Sequence, residues 1–486
     1  MASKHSDLPL GVHEGTAEFP PSGPVYKLYK RRFWGLAQLV LLNIVVSWDW
    51  LTFSAVSTTA AEYFDVSESA INWLSTGYLF AFCVASPFVI FTLNKGGPKP
   101  AIIVTSSLLL VGNWIRYAGV RANGGIFGLT MFGQILIGLA QPFCLSAPTR
   151  YSDLWFSDRG RTSATAVATL ANPLGAALGQ LINSLWATEP DEVPDMVLYL
   201  SIMATVASLP SFFIPAKPPT PPSASSATTK TPLLPAVSQM LKTLEFWFIL
   251  IPFGVYVGFF NSVSSLLNQI LSPHDFSETD AGIAGGILIV VGLISSAILS
   301  PLTDCYKHYL GTIRILVPIV AISYIALIFA PSSPAGIAPS YIIMAILGAS
   351  SFGLLPVVLE YLVEITYPFS PEIGSTICWT AGQLLGAIFI LIQDALKANP
   401  HANPPLNMCN ALIFSAVVAC VAAPFPLCIG LFGRDVRRRR LDIDRGMNLD
   451  EVQEERIEIA SGGEITTAGT EYRQSRFGLG FGFKFP

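Results

Sequence analysis

From residue 34 to residue 432 the chain repeats one pattern: a long apolar stretch, then a short polar segment. An α-helix rises about 1.5 Å per residue, so about twenty apolar residues cross the roughly 30 Å hydrocarbon core of a bilayer. The pattern predicts spans at 34–54, 71–91, 101–119, 126–148, 163–186 and 196–214, then at 246–270, 281–302, 312–330, 337–359, 373–392 and 408–432. Between the two sets of six lies AKPPTPPSASSATTKTPLLPAV. This Pro/Ser/Thr segment cannot form a packed core and reads as a flexible linker. The expected organisation is an N-terminal tail over 1–32, a six-helix bundle over 33–214, a linker over 215–243, a second six-helix bundle over 244–433, and a polar C-terminal tail over 434–486 expected to be disordered. The fold class expected is an all-α membrane protein with twelve transmembrane helices in two pseudo-symmetric bundles.

Composition sharpens this. The 486 residues are 52% hydrophobic and 12% charged, against about 25% charge in a soluble domain. The charge gathers between the apolar runs and forms no patch that a nucleic acid needs. Every Lys and Arg except Arg116, Arg121 and Lys397 falls on the side of the N-terminus when the spans are threaded in order. Lys and Arg are retained in the cytoplasm, so both termini are expected there, with RDVRRRR at Arg434–Arg440 as the clearest stop signal. That basic cluster equally suits anionic lipid. Met1–Lys30 is polar and lacks the apolar core of a cleavable signal, which leaves the first span as the insertion signal. The membrane itself, plasma or organellar, stays open.

Candidate chemistry is sparse. Six of the seven cysteines fall inside apolar runs and Cys305 sits beside a short loop, so no disulfide framework is suggested. The five histidines, His5, His13, His274, His308 and His401, lie in tails or loops and give no zinc spacing. There is no GxxxxGK[ST] phosphate loop. The sequence therefore predicts no catalytic residue, metal or cofactor, and points away from an enzyme or an ATP-driven pump. It predicts a monomer in the bilayer whose partner is a small-molecule substrate.

Ionisable residues inside spans are costly, and so informative. Asp49 stands between Trp48 and Trp50 in the first span. A carboxylate beside indole rings suits an organic cation, because charge and cation–π attraction add. An ion pair with Arg116 is the alternative, since both lie at similar depth. The reading carried forward is that Asp49, with Trp48, contributes to the substrate cavity. Glu360 and Glu364, four apart on one face of the tenth span, are candidates for gating or coupling together with Arg116. Asn172-Pro-Leu-Gly175-Ala in the fifth span and Gln383-Leu-Leu-Gly386-Ala in the eleventh sit at equivalent places in the two halves. Gly175 with Gly179, and Gly382 with Gly386, are small residues four apart that allow close helix approach.

Several strings resemble the FLVCR-related branch of the major facilitator superfamily over about residues 31–432: GQILIGLAQPFCLSAPTRYSDLWF followed by RTSATAVATLANPLGAALG, then GFFNSVSSLLNQIL and PVVLEYLVEITYP. LNKGGPKPA is a weaker piece, a degenerate form of the superfamily's loop signature, and Trp114-Ile-Arg116-Tyr117 also resembles the family. The resemblance implies a facilitator fold that alternates access to a central cavity, and transport of a choline- or ethanolamine-like amine or cationic metabolite. Haem, another bulky specialised metabolite, and a non-transporting receptor or scaffold are the alternatives. It further implies substrate contacts at Trp50, Gln141, Asn261 and Gln383. Asn261 stands where the family has a Tyr, which removes one aromatic wall of an ammonium cage.

Overall fold

The computed structural model describes residues 28–156, 158–220, 233–306, 308–366, 369 and 371–429. The expected tails before residue 28 and after residue 429, the basic cluster Arg434–Arg440 and the linker residues 221–232 lie outside the described residues.

Among the described residues, twelve helices are long and apolar enough to cross a membrane. Spans 1 to 6 are Arg32–Trp50, Glu68–Gly96, Pro98–Arg121, Phe127–Trp155, Ala164–Trp186 and Pro190–Phe213. Spans 7 to 12 are Leu244–His274, Glu278–Thr303, Tyr309–Phe329, Ala338–Leu362, Ile373–Ala395 and Cys409–Leu427. The expected boundaries differ from these by a few residues, as helix ends do.

Helix pairing shows the internal symmetry. In the first half, span 1 packs on 5, span 2 on 4, and span 3 on 4 and 6. In the second half, span 7 packs on 11, span 8 on 10, and span 9 on 10 and 12, which is the same scheme moved by six. The two halves meet where span 5 touches span 8 and span 2 touches span 11. Small residues permit the closest of these approaches: a methyl group at Gly175 would run into the Ile44 carbonyl oxygen, and one at Gly386 would lie 2.8 Å from the Asn261 Cβ.

Span 1 departs from the expected 34–54. Its helix stops at Trp50, residues 51–56 form turns, and a short helix resumes at Ser57–Phe64. The cause is a competing set of donors. The Asp49 carbonyl accepts from Gln134 Nε2 at 3.0 Å and Arg116 Nη1 at 3.2 Å, and the Trp50 carbonyl from Gln134 Nε2 at 3.4 Å. Side chains from spans 3 and 4 thus take carbonyls that a continuous helix would use, the usual requirement for irregular backbone at membrane depth.

Odd spans begin on the face where span 1 begins, here called the near face. On the opposite, far face, polar groups clasp the two halves. Lys397 Nζ meets Glu68 Oε2 at 2.5 Å, and Asn72 Nδ2 donates to Asp394 Oδ1 at 2.9 Å. Glu278 accepts from the Thr58 amide at 2.8 Å and the Thr59 hydroxyl at 2.7 Å.

Candidate functional site

Between the halves lies a cavity of about 1000 Å³, its mouth included, that runs from mid-bundle toward the near face. Its depth follows from the residues lining it. Span 7 contributes positions from Ile249 to Asn261, its near-face half, and span 10 contributes Ser351 to Val358, also toward that face.

The inner end of the cavity is aromatic and polar but uncharged. Trp50, at the break in span 1, faces Phe260 of span 7 with ring centroids 6.3 Å apart. Trp379 of span 11 lines the same space and packs edge-on against Phe253 at 5.5 Å. Gln141, Asn172, Asn261 and Gln383 supply the polar groups. Asn261 Nδ2 donates to Gln383 Oε1 at 2.8 Å, so Gln383 presents its amide N–H groups elsewhere. Trp50 Nε1 and Gln141 Oε1 are buried with no hydrogen-bond partner. A buried donor and a buried acceptor left unpaired each cost about 1–3 kcal/mol, and both belong to residues that line the cavity. A ligand with a hydroxyl or amine group can satisfy them.

The structure brings together Trp50, Gln141, Asn261 and Gln383 of the expected site. It does not bring Asp49 and Trp48 to them. The Asp49 carboxylate, expected in the cavity, turns into the first bundle, where Oδ1 meets Arg116 Nη2 at 2.6 Å with both side chains fully buried. Asn113 Nδ2 donates to Oδ2 at 2.7 Å, and Arg116 also donates to Asn113 Oδ1 at 2.7 Å and Gln134 Oε1 at 2.9 Å. A carboxylate removed from water needs a matched charge and filled lone pairs. The cluster supplies both, whereas the cavity lining, which holds no basic side chain among its described residues, lacks the matched charge. Trp48 likewise turns to span 5, donating Nε1 to Asn183 Oδ1 at 2.8 Å and stacking on Trp186 at 5.8 Å. Three consecutive residues therefore serve three places, because neighbours on a helix point about 100° apart.

Glu360 is partly buried on span 10, two positions beyond the cavity residue Val358 and outside the lining. The side chain of Glu364 lies outside the described residues. Among the described residues, no three His, Cys, Asp or Glu side chains gather as a metal site.

Sequence reading did not name Asn172, Phe260 or Trp379 as cavity residues. A signal existed for the first: Asn172 and Gln383 open the matching Asn-Pro-Leu-Gly and Gln-Leu-Leu-Gly strings, and both line the cavity. For the aromatics no local signal distinguishes a cavity wall from a packed core.

Comparison with known proteins agrees with this geometry. The family model described as Major Facilitator Superfamily matches residues 39–390. Solute carrier family 49 member A3 of Danio rerio is 30% identical over 91% of this chain and 94% of its own length. Choline/ethanolamine transporter FLVCR1 of Felis catus is 30% identical over 81% of this chain and 72% of its own. The chain belongs to the major facilitator superfamily, in its FLVCR-related branch. This facilitator's fold recurs in a solved D-xylose-proton symporter at a TM-score of 0.62 and 16% identity, covering 81% of this chain and 97% of that one. A bacterial homologue of the human lysosomal transporter Spinster gives 0.60 at 13% identity, covering 82% and 97%. The facilitator is thus an integral membrane transporter and not an enzyme.

Proposed function

We propose that this facilitator carries a choline- or ethanolamine-like amine through the central cavity by alternating access, and that the near face is cytoplasmic. The observation that carries the reading is the uncharged aromatic end of the cavity, where Trp50 faces Phe260 beside the unpaired Trp50 Nε1 and Gln141 Oε1. An ammonium gains about 2 kcal/mol from a desolvated ring face without any carboxylate. A hydroxyl on the same molecule both donates and accepts, which suits the two unpaired atoms. Two relatives that bear the name choline/ethanolamine transporter, from cat and human, support the same substrate class. A porphyrin carries two carboxylates, for which the described lining residues offer no basic partner.

The clasp on the far face and the cavity on the near side correspond to one end of an alternating cycle. In that cycle Glu360 and Glu364 act in the conformational step, with Arg116 holding span 1 through its break. Glu360→Gln should then slow maximal transport more than it weakens substrate affinity. Equal maximal rates with weaker binding would move Glu360 into the site.

The deciding experiment is uptake of labelled choline, ethanolamine, pyridoxine and haem into liposomes holding the purified chain. Saturable uptake of choline or ethanolamine, lost in Trp50→Ala, is expected. Transport of haem with neither amine moving overturns the reading.

A further inference from the structure

The cavity does not end at the interface between the halves. Pro252 and Asn261 of span 7 both line it, yet they lie nine positions apart and so on opposite sides of the helix. On span 10, Phe352 and Leu354 likewise point to different sides and both line it. The cavity therefore passes between spans 7 and 10 into the interior of the second bundle. There it meets Ile313, Val317 and Val320, one stripe at spacings of four and three on span 9, and Pro426 at the end of span 12. Spans 9 and 12 pack within their own half, so this part is a side chamber and not a wall of the central path.

The chamber is apolar, and its one aromatic hydroxyl is already committed, since Tyr256 donates to the Ala419 carbonyl at 3.0 Å. Behind the lining, the buried Phe259 stacks on Phe389 at 4.4 Å and contacts Tyr324 at 5.3 Å, so the bundle interior beyond the chamber is packed. The chamber's lining on span 9 runs seven residues from Ile313 to Val320, which gives a length of about 10 Å. An ammonium head at Trp50 leaves this chamber unfilled, while water there would find almost no polar partner.

We propose that the substrate is an amphiphile: an ammonium or hydroxyl head at Trp50, Gln141 and Gln383, with a hydrocarbon tail of about eight carbons lying between spans 7 and 10 against Val317. The proposal rests on the amine reading above and extends it to the class of substrate. The unpaired Trp50 Nε1 and Gln141 Oε1 fix where the head sits, and the continuous apolar lining fixes where the tail goes.

The test is displacement of labelled choline from the full-length chain in nanodiscs by trimethylammonium salts of increasing alkyl length, from methyl to dodecyl, below their micelle concentrations. Each methylene that enters the chamber strengthens binding about fourfold, so the inhibition constant should fall steadily to about octyl and then level off. Val317→Trp fills the chamber and should flatten the series, and Ile313→Trp serves if that variant fails to fold. A flat series in the unmodified protein, with choline still bound, overturns the chamber alone. A slope that persists in both Trp variants places the tail elsewhere, in lipid or along the central path, and also overturns it. If labelled choline itself does not bind, the amine reading falls and the amphiphile with it.

Discussion

Trp50 and Phe260 face one another across the cavity, and the residue before each turns back into its own bundle. In the first bundle that residue is Asp49, bound to Arg116 of span 3. In the second it is Phe259, packed on Tyr324 of span 9, the span that occupies the place of span 3 in the repeated helix pairing. One scaffold thus closes its two halves with opposite chemistry at like positions. The polar cluster joins spans 1, 3 and 4 through directional bonds whose members depend on one another. The aromatic cluster joins spans 7, 9, 11 and 12 through contacts without fixed partners. The difference bears on the apolar side chamber of the second bundle: an apolar core can be left partly unfilled at modest cost, whereas an incomplete buried ion cluster cannot.

The comparison breaks first at Asp49. Asp49→Asn leaves Arg116 buried and uncompensated, and should destabilise the protein by about 3–5 kcal/mol, read as a large fall in melting temperature. Adding Arg116→Gln should restore much of that loss. An Asp49→Asn protein that melts like its parent would put the carboxylate outside the cluster.

Phe259→Ala should cost about 3 kcal/mol by opening a void among Tyr324, Phe389 and Phe414. Unlike Asp49→Asn, it should gain little from a second polar-to-neutral change, because no charge is stranded. A melting temperature equal to the parent's would mean that the void collapses and that the aromatic cluster is not a fixed part of the bundle.

Trp50→Ala acts on the ligand instead. Losing a ring face worth about 2 kcal/mol weakens choline binding roughly 30-fold, while the melting temperature should fall less than in Phe259→Ala, because the buried Trp50 ring borders the cavity on one side. Direct binding measurements on Trp48→Ala and Trp50→Ala would separate the neighbours, since Trp48 holds Asn183 and Trp186 and should lower stability instead of affinity.

The smallest effect belongs to the far-face clasp. The Lys397–Glu68 side chains remain 14% and 25% exposed, so Lys397→Ala should shift the balance of conformations by no more than about 1 kcal/mol, and less in high salt. Ser265 is buried in the far-face half of span 7, and thiol labelling of a Ser265→Cys reporter from that face should rise no more than about fivefold. A larger rise would make this pair the main lock.

Much of the architecture is legible without coordinates. Twelve apolar runs with a Pro/Ser/Thr segment in the middle suffice for two groups of six spans, because a bilayer demands continuous helix of a set length. Trp50, Gln141, Asn261 and Gln383 could be named by their place in family motifs, and the structure puts all four on one cavity. The break after Trp50 was not legible, since residues 51–56 are apolar enough to continue a helix and the donors that interrupt it come from Arg116 and Gln134, some 65 to 85 positions away.

Hydropathy and residue order by themselves determined the number of spans, the two-part division and the non-enzymatic character of the chain, because each depends on local composition and length. Only the tertiary structure decided that Trp48, Asp49 and Trp50 part ways toward Asn183, Arg116 and Phe260. It alone decided that the cavity bends between spans 7 and 10 into the second bundle. Which way a side chain in a hydrophobic helix turns is set by the helix beside it, and in an apolar span with apolar residues on every side the sequence carries no stripe that says which helix that will be.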